Sequence, residues 1–166
     1  MRLTFRDATP EDVEAIAALQ NSVAENLTRR YGKSHWSGAS TSRGVTHSLK
    51  HARVRIGRSG GRLVTVLRLA KKKPWAIDVS YFTPAKLALY LTGMAVAVQH
   101  QGRGLGRLAL EDAHAVARSW PADAVRLDAY DAEAGAGGFY LKCGYEERGR
   151  VVYRRVPLIY YELRLR

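Results

Sequence analysis

An apolar run, a glycine-rich segment and an amphipathic pattern follow one another in this sequence and constrain its fold most strongly. Residues 89–98 are almost all apolar, which is typical of a strand buried on both faces of a sheet. Gly102, Gly104 and Gly106 follow, and apolar side chains then recur at helical spacing until Pro121. The order predicts a buried strand, a tight turn and a helix, as in an α/β protein.

Shorter patterns predict the remaining elements. An opening strand is followed by a helix with Thr9 as N-cap, Pro10 in its first turn and Asp12 in a capping-box position, and Gly32 ends it. Further strands are predicted at residues 51–57, 62–70, 124–130, 145–156 and 158–165, with shorter helices at 41–50 and 133–143. The order indicates a single domain over residues 1–166 with a mixed sheet.

Composition narrows the class of protein. The 166 residues match one compact domain, and the single cysteine excludes an internal disulfide framework. No histidine and carboxylate spacing suggests a metal site, no run approaches the length of a membrane helix, and the N-terminus lacks a secretory pattern, so a cytoplasmic protein is expected. The net charge of +12 favours anionic partners such as coenzyme A or nucleic acid, and disfavours polycationic substrates.

The segment of residues 101–107 has the properties of an anion site. Its glycines allow close backbone approach to a ligand, and the helix that follows presents amide groups at the positive end of its dipole. Arg103 and Arg107 add positive charge. This segment lacks the Gly-Lys-Ser/Thr of a Walker A loop and the glycine spacing of a dinucleotide fingerprint. On its own, the segment is explained slightly better as a tight strand-to-helix turn than as an anion site.

Two motifs identify a family resemblance. Gln101-x-x-Gly104-x-Gly106 after the apolar strand resembles the Gln/Arg-x-x-Gly-x-Gly/Ala signature of the GNAT superfamily of N-acyltransferases, with Val98 where a proline is common. The segment at residues 133–145, with Ala136, Tyr140 and Gly144, is similar to a second segment of that family, with glutamate at 133 in place of its usual asparagine. The opening strand and its Thr-Pro-Glu-Asp sequence extend the resemblance over nearly the whole chain.

The resemblance implies a fold and a cofactor. The fold would be a single α/β (α+β) domain with a mixed, mostly antiparallel sheet and helices on both faces. Acetyl-CoA would lie in an opening between the central strand and the strand at 124–130, and no metal would be needed. Its pantetheine would pair with the backbone of Met94, Ala95 and Val96. Its pyrophosphate would sit on the segment formed by Gln101, Gly102, Arg103, Gly104, Leu105, Gly106 and Arg107.

The resemblance also implies a reaction, namely acetyl transfer to a primary amine by direct attack in a ternary complex. Tyr140 would give a proton to the departing thiolate, since a phenol pKa of about 10 suits a thiol of about 8.5. The general base stays open among Asp78, Glu25 and His35, because residues 89–98 contain no glutamate. The acceptor site is expected near His35, Trp36, Asp78 and Tyr81. Cys143 is interpreted as a packing residue at a helix end.

Several alternatives stay open at this stage. The acceptor is expected to be a small molecule or a peptide amine, and no membrane partner is expected. A nucleic-acid-bound amine such as an aminoacyl-tRNA is the second choice, because the positive charge would serve phosphate contacts. The chain could instead be a non-catalytic acyl-CoA sensor or RNA-binding module. A homodimer formed through the final strands is a further expectation from the family.

Overall fold

The computed structural model describes all of residues 1–166 and contains seven strands and four α-helices. The helices are α1 (Val13–Tyr31), α2 (Ser42–His51), α3 (Leu105–Ser119) and α4 (Gly137–Lys142). The strands are β1 (Thr4–Asp7), β2 (Arg53–Ser59), β3 (Arg62–Ala70), β4 (Ala88–Val96), β5 (Ala124–Tyr130), β6 (Glu146–Tyr153) and β7 (Val156–Arg164). The sequence analysis therefore predicted both the number and the order of the strands.

The strands form one sheet in the order β1-β2-β3-β4-β5-β7-β6. The pairings β1–β2, β2–β3, β5–β7 and β6–β7 are antiparallel, and β4 pairs with β5 in parallel over Ala88–Tyr90 and Ala124–Arg126. The mixed, mostly antiparallel sheet expected from the family resemblance is confirmed. The chain divides into two compact units, and β4 contributes its first residues to one and its last residues to the other.

The first unit comprises Met1–Leu69 and Thr92–Ala113. Helices α1 and α2 bury apolar side chains against one face of its strands, where Val54, Ile56 and Val66 have almost no exposed surface. Arg55 alternates with Val54 and Ile56 and so lies on the other face, where its guanidinium binds Asp112 of α3 at 2.7 and 2.8 Å. Helices therefore cover both faces of this part of the sheet.

The second unit comprises Ala70–Leu91 and His114–Arg166. Strands β5, β7 and β6 form its sheet, and a core of Ile77, Phe82, Tyr90 and Tyr160 covers one face. Residues 71–87, which the sequence analysis left unassigned, form no strand or α-helix and contain a single 3₁₀ turn at Val79–Tyr81. Side chains of the sheet hold this segment by its backbone.

Local signals predicted several boundaries well. The Thr9 amide donates to the Asp12 carboxylate at 2.8 Å, which confirms the capping box before α1. Strands β3 and β5 have the predicted ends, and Gly60 and Gly61 form the turn between β2 and β3 with positive φ. The helix predicted at 133–143 is wrong in its first half, since α4 begins only at Gly137.

Candidate functional site

The glycine-rich segment begins where β4 ends. β4 stops at Val96 rather than at the predicted Val98, because a 3₁₀ turn at Val98–His100 redirects the chain. The side-chain amide of Gln101 donates to the Val96 carbonyl at 2.9 Å and ties the segment to the strand end. Gly102 and Gly104 then adopt φ of +72° and +78°, which only glycine adopts at low cost. The motif residues thus shape the turn itself.

The space above this turn is open. A Cβ on Gly102 or Gly104 would meet no atom within 4 Å, so a ligand can approach the backbone there. The hydrogen bond from the Leu108 amide to the Gly104 carbonyl opens α3, which leaves the amides of Leu105 and Gly106 without a carbonyl partner inside the helix.

Charge and polarity around the turn suit an anion. Arg103 and Arg107 are exposed, whereas Leu105 is buried and fixes the start of α3. The Nδ1 atom of His100 is buried and has no hydrogen-bond partner. The positive helix end and the two arginines fit a pyrophosphate group.

The last residues of β4 are less accessible to a ligand than the sequence suggests. Ala95 is buried in the core beneath α1 and α2, and Met94 and Val96 are half-buried. The Val96 carbonyl already accepts the Gln101 side chain, so a pantetheine would have to use other backbone groups of this strand. Directly before them, Gly93 is exposed and has φ of +61°, which interrupts the regular strand backbone.

Arg68 lies beside this interruption, and the sequence analysis did not single it out. It is on β3 opposite Val54, hence on the face that α1 and α2 cover. A Cβ built on Gly93 would come within 2.8 Å of its Nε and 2.9 Å of its Nη2. Its Nη1 donates to the Ser48 hydroxyl at 2.8 Å, while its Nε is buried without a partner.

Tyr140 is on α4 and is buried, with 7% of its surface exposed. Its ring lies 5.3 Å from that of Phe139, 5.6 Å from that of Tyr145 and 5.9 Å from that of Tyr161. Burial, with a smaller contribution from the charge of Asp128, raises the pKa of the Tyr140 phenol well above its ordinary value. The expectation of an ordinary phenol pKa is therefore wrong.

Asp128 is a second residue that the sequence analysis missed. It is half-buried on β5, and burial raises the pKa of its carboxyl. It pairs with Tyr160 of β7, so the two side chains lie on the same face of the sheet. Its charge also raises the pKa of Tyr130, Tyr140 and Tyr160, so a carboxyl with a raised pKa lies near three phenols.

Asp78 and Tyr81 line a groove of about 430 Å³ in the second unit, together with Trp75, Tyr153 and Tyr160. The Tyr160 hydroxyl donates to the Ala76 carbonyl and accepts from the Asp78 amide at 3.1 Å. The Asp78 carboxylate accepts hydrogen bonds from the Ser80 hydroxyl and amide, and these lower its pKa. Asp78 is thus an ionised group at the rim rather than a poised base.

His35 and Trp36 form a short 3₁₀ turn after α1, with ring centroids 4.9 Å apart. The Trp36 indole donates to the Gly32 carbonyl at 3.0 Å, so it closes the end of α1. A cavity of about 520 Å³ in the same unit is lined by Glu25 but by neither of these residues. His35 and Trp36 therefore contact each other, but they do not line the same cavity as Glu25.

Some of the arginines are paired with carboxylates. Arg6 and Arg58 bind the buried Asp12, and Arg53 and Arg55 bind Asp7. This pairing reduces the positive charge available to a nucleic acid. No helix has the length and hydropathy needed to cross a membrane. No group of three or more His, Cys, Asp or Glu side chains is arranged to hold a metal ion.

Solved structures share this fold over the full chain. An N-acetyltransferase from Staphylococcus aureus Mu50 matches with a TM-score of 0.73 and 17% identity, covering 100% of both chains. YncA from Salmonella typhimurium, whose structure contains its cofactor acetyl-CoA, matches with a TM-score of 0.73 and 16% identity over 99% of this chain and 94% of its own. A ribosomal-protein-alanine N-acetyltransferase from Brucella melitensis matches with a TM-score of 0.74 and 18% identity over 97% and 99%.

Sequence comparison assigns the family. No curated protein matches the sequence significantly. The profile of the Acetyltransferase (GNAT) family matches residues 24–145, a range that contains the glycine-rich turn and Tyr140. GNAT acetyltransferases are enzymes that take their acetyl group from acetyl-CoA, and they act on amines. Because the match spans most of the sequence and the fold agrees with it, this chain belongs to the GNAT family of acetyltransferases.

Proposed function

We propose that this chain is an N-acetyltransferase that moves an acetyl group from acetyl-CoA to a primary amine by direct attack, with residues 1–166 acting as one catalytic domain. The observation that carries the proposal is the open turn at Gly102 and Gly104 before the positive end of α3. The family match over residues 24–145 supports the same reaction class. In this reaction a C–N bond forms, a C–S bond breaks and one proton moves from the amine to the thiolate.

The donor side is proposed to use the backbone more than side chains. Amides of residues 102–107 would hold the pyrophosphate, with Arg103 and Arg107 providing charge. Gln101 would keep the turn in place through its bond to Val96. Backbone groups of Met94 and Ala95 would hold the pantetheine. Acetyl-CoA would supply the activated acetyl group as a thioester.

Tyr140 is proposed to stabilise the departing sulfur. Because burial raises its pKa, the phenol keeps its proton at neutral pH and can donate a hydrogen bond to a thiolate. Full proton transfer is then expected only as the product leaves. Tyr140→Phe should lower kcat about 10- to 100-fold with little change in the KM for acetyl-CoA. Full activity in Tyr140→Phe would remove this assignment.

Asp128 is proposed to accept the proton of the amine. Burial raises the pKa of its carboxyl, whereas the bonds from Ser80 lower the pKa of Asp78, and Asp128 shares a sheet face with Tyr160 of the groove. The base must be ionised, so the rate should fall as the pH decreases through the raised pKa of Asp128. Asp128→Asn should remove this acidic limb and lower kcat/KM, and an unchanged pH profile would contradict the role.

The acceptor is proposed to enter by the groove lined by Asp78 and Tyr81, where an ionised carboxylate and exposed aromatic rings can hold an ammonium group before it loses its proton. His35 and Trp36 are retained as acceptor-side residues of the first unit. A nucleic-acid-bound acceptor is not proposed, because the net charge of +12 is its main support and Arg6, Arg53, Arg55 and Arg58 are already paired with carboxylates.

The test uses a matched pair of glycine variants. Gly104 and Gly61 both have φ of +78°, both are exposed, and a Cβ on either meets no atom within 4 Å. Alanine at either position should therefore cost a similar amount of stability, about 1 kcal/mol. Acetyl-CoA should raise the melting temperature of the wild type and of Gly61→Ala, but much less that of Gly104→Ala.

Activity is then measured as free-thiol release from acetyl-CoA over a panel of primary amines. We expect turnover with at least one class of amine and none in the absence of an acceptor. If millimolar acetyl-CoA stabilises neither the wild type nor Gly61→Ala, the cofactor assignment is wrong. If it stabilises both and no amine is acetylated, the chain binds acetyl-CoA without the proposed catalysis.

A further inference from the structure

Two histidines lie next to each other on the surface of α2. His47 and His51 are four residues apart on this helix, so their side chains project from the same side. Both are exposed, and their ring centroids lie 4.3 Å apart with 39° between the ring planes. Each imidazole contacts the other ring and makes no hydrogen bond to the protein. The ring nitrogens are therefore available to a ligand from solvent.

The separation of the two rings suits a shared metal ion. Metal–nitrogen bonds of about 2.0–2.1 Å place two imidazole nitrogens bound to one ion about 3 Å apart. Because the centroids of the two rings are 4.3 Å apart, rotation of the exposed side chains can bring one nitrogen of each ring to that distance. Histidines four residues apart on one helix face are also the spacing with which helical sites hold zinc.

The surroundings select the kind of ion. Arg43 and Lys50 are exposed on the same helix, and α2 contains no carboxylate of its own. The Glu14 carboxylate accepts from the Ser42 hydroxyl, at the opposite end of the helix. Mg²⁺ and Ca²⁺ require several oxygen ligands, which this pair does not offer. Imidazole instead suits nickel, copper and zinc, whose affinity for nitrogen ligands does not depend on a negatively charged site.

We propose that His47 and His51 form a two-ligand site for a late first-row divalent metal ion, namely Ni²⁺, Cu²⁺ or Zn²⁺. Water completes the coordination of the ion, since no third His, Cys, Asp or Glu side chain is arranged to join the pair. None of the residues proposed to bind acetyl-CoA or to act in acetyl transfer belongs to this site. The inference therefore stands independently of the proposed function.

Binding of the ion should stabilise the fold. An ion held by both histidines links two successive turns at the C-terminal end of α2, a helix that buries Val45 in the core of the first unit. The unfolded chain does not hold the two imidazoles together, so the folded chain binds more tightly. The melting temperature should rise by up to about 10 °C when the free ion is about 100-fold above its dissociation constant.

The experiment titrates Ni²⁺ into the full chain, without an affinity tag, and follows binding by calorimetry at pH 7.5. The wild type should bind one ion at this site. His47→Gln and His51→Gln should each weaken the affinity at least about 10-fold, because a single imidazole lacks the linked second ligand. His35→Gln removes an exposed histidine of the same unit whose ring contacts Trp36 instead, and should change the affinity less than about twofold.

A double variant tests the spacing of the histidines. Arg43 is exposed and lies four residues before His47, so Arg43→His combined with His51→Gln moves the pair one turn towards the start of α2. We expect this variant to bind Ni²⁺ within about threefold of the wild type. Mg²⁺ at the same concentration should leave the melting temperature of every variant unchanged.

Several outcomes would overturn the site. These are a wild type that does not bind Ni²⁺, wild-type affinity in either His47→Gln or His51→Gln, an equal loss in His35→Gln, and stabilisation by Mg²⁺ as large as that by Ni²⁺. A double variant that binds no better than His51→Gln would overturn the role of the four-residue spacing. None of these outcomes bears on acetyl-CoA binding, which the glycine variants measure separately.

Discussion

Two arginines in this protein, the buried Arg126 and the half-buried Arg68, have opposite surroundings. Arg126, with 6% of its surface exposed, donates to Glu162 at 2.9 Å, to the Tyr90 hydroxyl at 3.2 Å and to the Thr83 carbonyl. Its guanidinium also lies 5.0 Å from the Phe82 ring centroid. Arg68 has only Ser48. The protein supplies several hydrogen-bond acceptors to Arg126 but leaves the Nε of Arg68 without one, so withdrawing a guanidinium from water does not by itself mean that its donors are satisfied.

The largest expected effect concerns Arg126, the arginine whose guanidinium nitrogens all donate hydrogen bonds within the protein. Arg126→Met leaves Glu162, with 2% of its surface exposed, as an unpaired buried carboxylate. We expect a loss of about 3–5 kcal/mol in the free energy of unfolding. Urea denaturation measures it, and the double variant Arg126→Met with Glu162→Leu should recover most of the loss. A single variant as stable as the wild type would show that the pair contributes little.

A smaller effect concerns another saturated polar group of the second unit. His114 is buried, and its Nε2 shares a 2.9 Å hydrogen bond with the Tyr145 hydroxyl. Burial lowers the pKa of its imidazole to about 4, with a smaller contribution from the charge of Arg118. The unfolded chain binds this proton below about pH 6.5, so stability should be constant above that pH and fall by about 3 kcal/mol towards pH 4.

The measurement for His114 is the free energy of unfolding at several pH values between 7.5 and 4.5, for the wild type and for His114→Gln. In His114→Gln, the free energy of unfolding should decrease much less over this pH range than in the wild type. An equal decrease in both proteins would assign the acid sensitivity to other groups.

The smallest expected effect concerns Arg68, and here the substitution should stabilise the protein rather than destabilise it. Arg68→Met removes a half-buried charge that no carboxylate pairs and whose Nε has no hydrogen-bond partner, so we expect the free energy of unfolding to rise by about 1 kcal/mol. Arg62→Met, on the same strand but exposed, should change it by less than about 0.5 kcal/mol. If Arg68→Met destabilised the protein as Arg126→Met does, the two arginines would have the same role.

The sequence predicts the parts of this molecule that depend on neighbours along the chain. Thr9 and Asp12 lie three residues apart, and the glycine-rich turn lies within one short segment, so both could be recognised locally. The start of α4 was misplaced for a local reason as well. Gly135 lies against the Tyr130 carbonyl, where a Cβ would collide, and this close turn replaces the first part of the predicted helix.

Residues whose role depends on distant partners were missed. Arg68 meets Ser48 and Gly93, which are 20 and 25 residues away along the sequence, and a composition-based view treats it as one of 27 basic residues. Asp128 appears as an ordinary strand residue until its burial and its pairing with Tyr160 are seen. The same holds for Arg126 and Glu162, which are 36 positions apart. Burial and charge pairing are tertiary properties, and a single sequence does not display them.

The backbone anchors of residues 76–87 have a practical consequence for retargeting the enzyme. Glu162 and Arg126 bind the amide and carbonyl of Thr83, Asp123 accepts the amides of Lys86 and Leu87, and the Tyr160 hydroxyl binds the backbone of Ala76. None of these bonds uses the exposed rim side chains of Trp75, Tyr81 or Val152. A combinatorial library at these three positions should therefore yield mostly folded variants, so that selection for new acceptors can explore shape without losing the scaffold.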